Sequence, residues 1–273
     1  MLHWLADPWS QEVLRRAFVE VVLLGAAGGA LGCWVVLYGL SYGAESLAHG
    51  LFPGLVVAAL TGLPLLAGGA AGIALAAVGV AAVGRLPGLD RDVGVAVVVT
   101  TLFGAGVLLA LSPETPRALQ GLLFGDVLGL TDGDLMLAGM LVAVTAIGLW
   151  LMHGRLMAVG FDRAGAGALG VQAWPVDLAL LMLVAAAIVV AVQGLGNLLV
   201  VALLVAPAAA ARLVARRAAP MMAASAAIAV VAGGAGLYLS YHAGTAAGAS
   251  VAGMLVLAYV AAAAGSAIRP GRA

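Results

Sequence analysis

Two ionisable residues stand four apart in an otherwise apolar stretch: Glu45 and His49, in Ser41-Tyr-Gly-Ala-Glu-Ser-Leu-Ala-His-Gly-Leu-Phe-Pro53. On a helix, positions four apart lie one above the other on one face. A carboxylate oxygen and an imidazole nitrogen on adjacent turns can grip one divalent transition metal ion. Pro53 and Gly54 follow at once and could open the helix backbone, freeing a carbonyl to help. Two other readings fit the same residues. One is a Glu–His pair hydrogen-bonded to itself or to polar neighbours, holding a helix bundle together; the other is a proton relay. His49 lies about two turns in from Ser41, roughly 12 Å at about 1.5 Å per residue.

The remaining polar residues carry less. Gln193 and Asn197 flank a break between two apolar stretches, and they either satisfy helix ends or line a pathway. His242, next to Tyr241, reads as an interfacial anchor, and His3 and His153 as solvated. Asp126, in Leu-Phe-Gly-Asp-Val-Leu, caps or terminates a short helix. Gly165-Ala-Gly-Ala-Leu-Gly170 has the spacing of a dinucleotide fingerprint, but it follows charged residues and not a strand, and no acid stands about twenty residues on. It is a chance match in a chain with 39 glycines. Cys33 is the single cysteine, so no intrachain disulfide or CxxC site is possible, and it reads as a small apolar residue inside a helix.

These residues sit in a chain of 273 that is 64% hydrophobic and 9% charged, with a mean hydropathy of +1.18. Soluble domains carry about 25% charged residues. So few ionised groups cannot cover a water-soluble fold, and disorder needs the opposite composition. The expected class is therefore all-α, a polytopic transmembrane helix bundle, in which an ionisable side chain costs about 2.5–3.5 kcal/mol at mid-span and needs a reason to be there. All 12 basic residues are Arg, balanced by 12 acids. That balance leaves no basic patch for nucleic acid, and without Lys there is no Walker A motif. Any ATP that drives this chain is hydrolysed by another subunit, and the chain itself is not an enzyme.

A helix needs roughly 20 apolar residues to cross about 30 Å of hydrocarbon. Nine stretches qualify: Ala17–Tyr38, Ser41–Leu60, Leu65–Val83, Val93–Leu111, Asp134–Met152, Pro175–Val192, Leu195–Leu213, Met221–Tyr241 and Ala246–Ala264. The expectation is eight or nine spans over 17–264, forming a single transmembrane domain over 1–273, with Ala118–Leu130 too short to cross. Met1 to Arg16 reads as a retained interfacial segment, mixed in charge through Asp7, Glu12, Arg15, Arg16 and, just beyond, Glu20. With an outside N-terminus and a cytoplasmic C-terminus, nine arginines fall inside (85, 91, 155, 163, 212, 216, 217, 269, 272) against three outside (15, 16, 117). The segment 155–174 is then the longest charged cytoplasmic connection and could form one amphipathic helix, a lever for a motor subunit. Small residues recur four apart, as in Gly25/Gly29, Gly28/Gly32, Gly68/Gly72 and Gly121/Gly125, which implies close helix packing without identifying a seam.

Taken together and in order, four blocks resemble the permease subunits of bacterial ATP-binding-cassette importers for zinc, manganese or iron. A family segment like L-G-D-A-L-S-H-A-x-L-P-G stands here as Tyr42-Gly-Ala-Glu-Ser-Leu-Ala-His-Gly-Leu-Phe-Pro-Gly54. One like Y-L-F-G-D-I-L-G stands as Gly121-Leu-Leu-Phe-Gly-Asp-Val-Leu-Gly129. A third, like S-F-D-P-E-x-A-x-A-L-G, stands as Val159–Gly170, and a fourth, rich in A-L-L-V-x-P-A-A, as Ala191–Leu213.

The resemblance implies that Glu45 and His49 contribute to metal passage. It also implies that Phe161, Asp162, Leu169 and Gly170 belong to a short cytoplasmic coupling helix that docks on the ATPase. It further implies a second permease copy or a sister subunit, two cytoplasmic ATP-binding subunits, an extracytoplasmic metal-binding protein, and residence in the bacterial cytoplasmic (inner) membrane. No permanently bound cofactor is implied; the divalent metal ion is cargo. Glu45 replaces the usual Asp, Arg163 the usual Pro and Ala164 the usual Glu, and Tyr241-His-Ala-Gly lacks the usual Asp and Pro. Two rivals stand beside this reading: a permease for iron chelates or corrinoids, and a proton-coupled secondary carrier, which would usually show internal repeats.

Overall fold

The computed structural model describes residues 9–83, 91–113 and 129–267. His3, Arg85, Arg117, Asp126, Arg269, Arg272 and all but the last residue of the block Gly121–Gly129 lie outside the described residues, as does most of Ala118–Leu130. Nine α-helices run through the described residues: α1 Glu12–Leu37, α2 Ser41–Thr61, α3 Leu65–Val83, α4 Arg91–Ala110, α5 Asp132–Phe161, α6 Ala173–Leu195, α7 Asn197–Val214, α8 Ala218–Ala243 and α9 Ala247–Ala267. Each matches one expected stretch. Seven are long and apolar enough to cross a membrane; α3 and α7 contribute the shorter apolar runs Leu65–Gly79 and Leu199–Val214.

Two boundaries differ from expectation for readable reasons. The last residues of the supposed interfacial segment, from Glu12, are the first turn of α1, where Arg16 pairs with Glu12 at 2.8 Å and with Asp132 at 3.1 Å. The segment 155–174 is not one amphipathic helix. α5 continues past Met152 to Phe161 because Leu156 and Val159 are buried. A 3-10 turn, Gly165–Leu169, follows, and Trp174 already belongs to α6. At its other end α5 starts on a capping box. Thr131 Oγ1 accepts the Asp134 N–H at 3.3 Å, and Asp134 Oδ2 accepts the Thr131 N–H at 2.9 Å.

Contacts between chain-distant residues sort the helix ends into two sets that alternate along the chain. Trp9 donates to the Tyr238 hydroxyl at 2.5 Å, and Arg16 reaches the Leu130 carbonyl and Asp132. At the opposite end Tyr38 donates to the Leu156 carbonyl at 2.9 Å, and Arg212 to that of Val36 at 3.4 Å. This is the up-down order expected of a bundle with successive antiparallel crossings.

Glycine decides which helices touch. In hydrocarbon no water is released when two apolar faces meet, so association relies on close packing and small residues. α2 and α3 approach along Gly50 and Gly54 against Gly68 and Gly72. A Cβ on Gly54 would strike the Gly68 carbonyl oxygen and lie 2.9 Å from the Gly72 Cα. α1 uses two glycine faces at once. Gly29 meets α8, where a Cβ would lie 2.8 Å from the Ala226 Cα. Gly32 meets α7, where a Cβ would strike the Leu204 carbonyl oxygen. The pairs Gly25/Gly29, Gly28/Gly32 and Gly68/Gly72 thus lie on specific seams within the chain, and Gly121/Gly125 lies outside the described residues. One buried acid joins these contacts: Glu20 of α1 is 2% exposed, with its carboxylate against Gly194 of α6, where any Cβ would collide with it.

Gly54→Ala should lower stability by about 1–3 kcal/mol, the usual cost of overpacking. Gly139→Ala on α5, where a Cβ meets nothing within 4 Å, should leave it unchanged or slightly raised. Thermal unfolding of the two variants in detergent, side by side, measures the difference; equal melting temperatures would remove the glycine seam from the account.

Candidate functional site

Glu45 and His49 lie on consecutive turns of α2 and face the same way, as their spacing requires. His49 Nε2 stands 3.8 Å from Glu45 Oε1. That is beyond hydrogen-bond length, so the two side chains are near each other without being joined. Two ligand atoms about 2.1 Å from one ion, at the tetrahedral angle, lie about 3.4 Å apart. The gap therefore needs to close by only a few tenths of an ångström to hold a metal ion between them.

The surroundings are asymmetric. The His49 ring packs edge-on to Phe103 of α4, with centroids 5.0 Å apart, and its Nδ1 is buried with no partner among the described residues. Its side chain is 22% exposed, that of Glu45 46%. Glu45 opens onto a groove of about 510 Å³ between α2, α7 and α9, walled by Val201, Val205 and Tyr259. Pro53 sits inside the helix four residues beyond His49. Having no N–H, it leaves the His49 carbonyl without its usual helical donor. α2 nevertheless runs unbroken, because α3 and α4 hold it: Gly106 of α4 comes so close that a Cβ there would lie 3.0 Å from the Pro53 nitrogen.

Among the described residues no group of three or more His, Cys, Asp or Glu side chains is placed to hold a metal ion. Two side chains could fill at most half of a tetrahedral shell, and a half-exposed carboxylate on a face of the bundle is costly in lipid unless something polar or another protein surface covers it.

At the other expected site, Phe161, just before the 3-10 turn, and Leu169, its last residue, are 86% and 73% exposed. Asp162 builds that turn: its Oδ1 accepts the Gly165 N–H at 2.9 Å, and its carbonyl accepts that of Ala166 at 2.9 Å. Gly170 closes it in the left-handed region, φ 73°, a conformation that costs any other L-residue roughly 1–2 kcal/mol. Arg163, where the resembled family has Pro, forms an ion pair with Asp177 of α6 and so ties the turn back to the bundle.

Gln193 lies in the last turn of α6 and Asn197 opens α7, with Gly196 between; their side chains lie outside the described structure. His242 is exposed beside Tyr241, with ring centroids 5.0 Å apart, as an anchor would be. His153 is part-buried, edge-on to Trp34 at 5.8 Å, and so is not the solvated residue expected. Cys33 is buried, as expected. Sequence reasoning missed Glu20, which was grouped with the charged N-terminal segment. Ala17, Val21 and Leu24 of the same helix are buried with it, but where nearly every residue is apolar no periodicity in the sequence marks that face.

Comparison with known proteins gives the frame for this geometry. The model of the ABC 3 transport family matches residues 10–266. A chelated iron transport system membrane protein, YfeC of Yersinia pestis, is 28% identical over 199 residues, 73% of this chain and 68% of its own length. A manganese transport system membrane protein, MntB of Synechocystis, is 29% identical over 197 residues, 72% of this chain and 64% of its own length. Among solved structures, PsaBC of Streptococcus pneumoniae in complex with Fab superposes with a TM-score of 0.87 at 24% identity, covering 96% of this chain and 94% of the other, a likeness of fold. With its family model matched almost end to end and its helices arranged as that fold requires, the chain belongs to the ABC 3 transport family, as a multi-pass protein of the inner membrane.

Proposed function

We propose that this chain is the permease subunit of an ATP-driven importer of a divalent transition metal ion (zinc, manganese or iron) and that it works by alternating access. The observation that carries the reading is the Glu45–His49 pair, 3.8 Å apart within a membrane-spanning helix and open on one side. Relatives named for iron and manganese transport support the cargo class. A transport site must release its ion, so it should not close a full shell from one chain. A second permease copy or a sister subunit seated on the groove beside Glu45 would cover the carboxylate and bring further ligands. Gln193 and Asn197, either side of the α6–α7 break, are the candidates to line the route.

Orientation follows the arginines, with the N-terminus outside and the turn at 162–170 in the cytoplasm. Two ATP-binding subunits would press on Phe161 and Leu169 there, and an extracytoplasmic metal-binding protein would deliver the ion at the opposite end. Large apolar side chains left exposed in water mark a docking surface more often than a loop.

Glu45→Ala and His49→Ala should each abolish uptake of radiolabelled zinc, manganese or iron by cells, while membrane insertion and co-purification with the ATPase persist. Normal uptake by both variants would remove the metal role. Glu45→Asp, which draws the carboxylate back by one methylene, should retain uptake and change the order of preference among the three metals in the same assay.

Phe161→Ala/Leu169→Ala should leave the chain inserted with an unchanged melting temperature but release the ATPase on co-purification, and uptake should fall at least tenfold. Intact co-purification would place the motor contact elsewhere.

A further inference from the structure

A crevice on the outside of the bundle has no part in the reading above. α5 and α8 both pack on α1 but diverge from each other, and the strip of α1 left between them, Ala26, Ala27 and Ala30, has only small side chains. The apolar part of the crevice, about 680 Å³, is walled by residues from Val142 to His153 of α5. Eleven steps of about 1.5 Å make that wall about 16 Å long, close to half of an approximately 30 Å hydrocarbon layer. Trp150, 77% exposed, marks its rim towards the end where Trp residues gather at a membrane interface.

Past His153, whose ring meets Trp34 edge-on at 5.8 Å, a second cavity of different character lies along the same helices. This cavity, about 470 Å³, is lined by Gly160 and Phe161 of α5, by Arg212 of α7 and by Arg216 and Arg217 between α7 and α8. Arg212 is occupied, donating to the Val36 carbonyl at 3.4 Å. Arg216 and Arg217 are exposed and form no ion pair among the described residues. The acids Asp162 and Asp177 are engaged elsewhere, the first with the Gly165 N–H and the second with Arg163.

An apolar slot one leaflet deep, with two uncompensated guanidinium groups in the next cavity along the same helices, matches a molecule with a hydrocarbon tail and an anionic head. Basic pockets between membrane helices on the cytoplasmic side take such headgroups, and Arg suits phosphate through its fork of donors. We propose that the crevice between α5 and α8 binds an anionic phospholipid of the cytoplasmic leaflet, an acyl chain lying on Ala26, Ala27 and Ala30 and the phosphate on Arg216 and Arg217. The bound lipid would touch Phe161 from the membrane side and so stiffen the turn that faces the cytoplasm.

The test is native mass spectrometry of the full chain in detergent, supplied with phosphatidylglycerol or with phosphatidylcholine of matched chain length. Phosphatidylglycerol should be retained at least tenfold better. Arg216→Gln/Arg217→Gln should lower its retention about thirtyfold, the loss of two basic side chains at a membrane surface. Ala146→Trp, which fills the apolar slot, should remove retention of both lipids, and glycerol phosphate, a headgroup without tails, should not compete. Equal retention of the two lipids by the unmodified chain would overturn the proposal whether or not the variants fold. So would an undiminished preference in the arginine variant, displacement by glycerol phosphate, or an Ala146→Cys variant that forms a disulfide-linked dimer under oxidation in the membrane.

Discussion

The position of α2 rests on a backbone-to-backbone approach at Gly50 and Gly54 of α2 and Gly68 and Gly72 of α3, and the candidate site rests on α2. Inside hydrocarbon two helices gain nothing by hiding apolar area from each other, so they must gain by the number of atoms in contact. Deleting side chains at the crossing lets whole backbones meet. That contact also carries the burden of Pro53, which removes a helical hydrogen bond one turn past His49. A helix with a missing bond kinks unless its neighbours hold it. Here α3 holds one side and Gly106 of α4 the other, so Glu45 and His49 keep their shared face.

α1 plays the complementary part, as the helix to which most of the bundle refers. Its buried surface is divided by position. Gly25 and Gly29 serve α8, Gly28 and Gly32 serve α7, Glu20 meets α6, and Ala26, Ala27 and Ala30 are left as the floor of the crevice facing α5. At Gly29 and Gly32 the neighbouring backbone leaves no room for a Cβ. The exception is Glu20, where the neighbour has given way instead: residue 194 is glycine because the carboxylate fills the space of a Cβ. An acid so deep in a spanning bundle is a second place, apart from Glu45 and His49, where insertion has been made costly, and only a bundle already tight around it can hold it.

The sequence made much of this legible, and the failures have a common cause. Length, hydropathy and Gly/Pro punctuation located every one of the nine helices, because a membrane span is a one-dimensional property of the chain. Faces were harder. Where nearly every residue is apolar, helical periodicity carries little signal, so nothing distinguished the α1 face that buries Glu20 from the terminal charges around Arg15 and Arg16. The same flatness hid the end of α5. Met152 was the expected limit, yet Leu156 and Val159 continue the buried stripe and carry the helix to Phe161. The Glu45–His49 pair was readable from spacing alone. That the two atoms stand apart without a hydrogen bond, and that Glu45 is half open to a groove, depends on neighbours that come from α4, α7 and α9, far along the chain.

A motor that acts at 162–170 can move a site on α2 only if the turn does not absorb the displacement itself. Three contacts stiffen it. Asp162 closes the turn from within through Gly165 and Ala166. Arg163 ties it to Asp177 at the start of α6. Tyr38, just past the end of α1, donates to the Leu156 carbonyl at 2.9 Å, one turn before α5 runs out. Pushing on Phe161 therefore loads α1, α5 and α6 together. α1 continues through a three-residue connection into α2, where Gly39 and Leu40 donate to the Val36 and Val35 carbonyls at 3.2 and 2.8 Å and fix the corner. The chain of contacts from the turn at 162–170 to Glu45 thus passes through a closed turn, a buried helix and a hydrogen-bonded corner. Each link is a short, bonded element, so a rigid-body tilt of α1 reaches the face of α2 that carries the carboxylate.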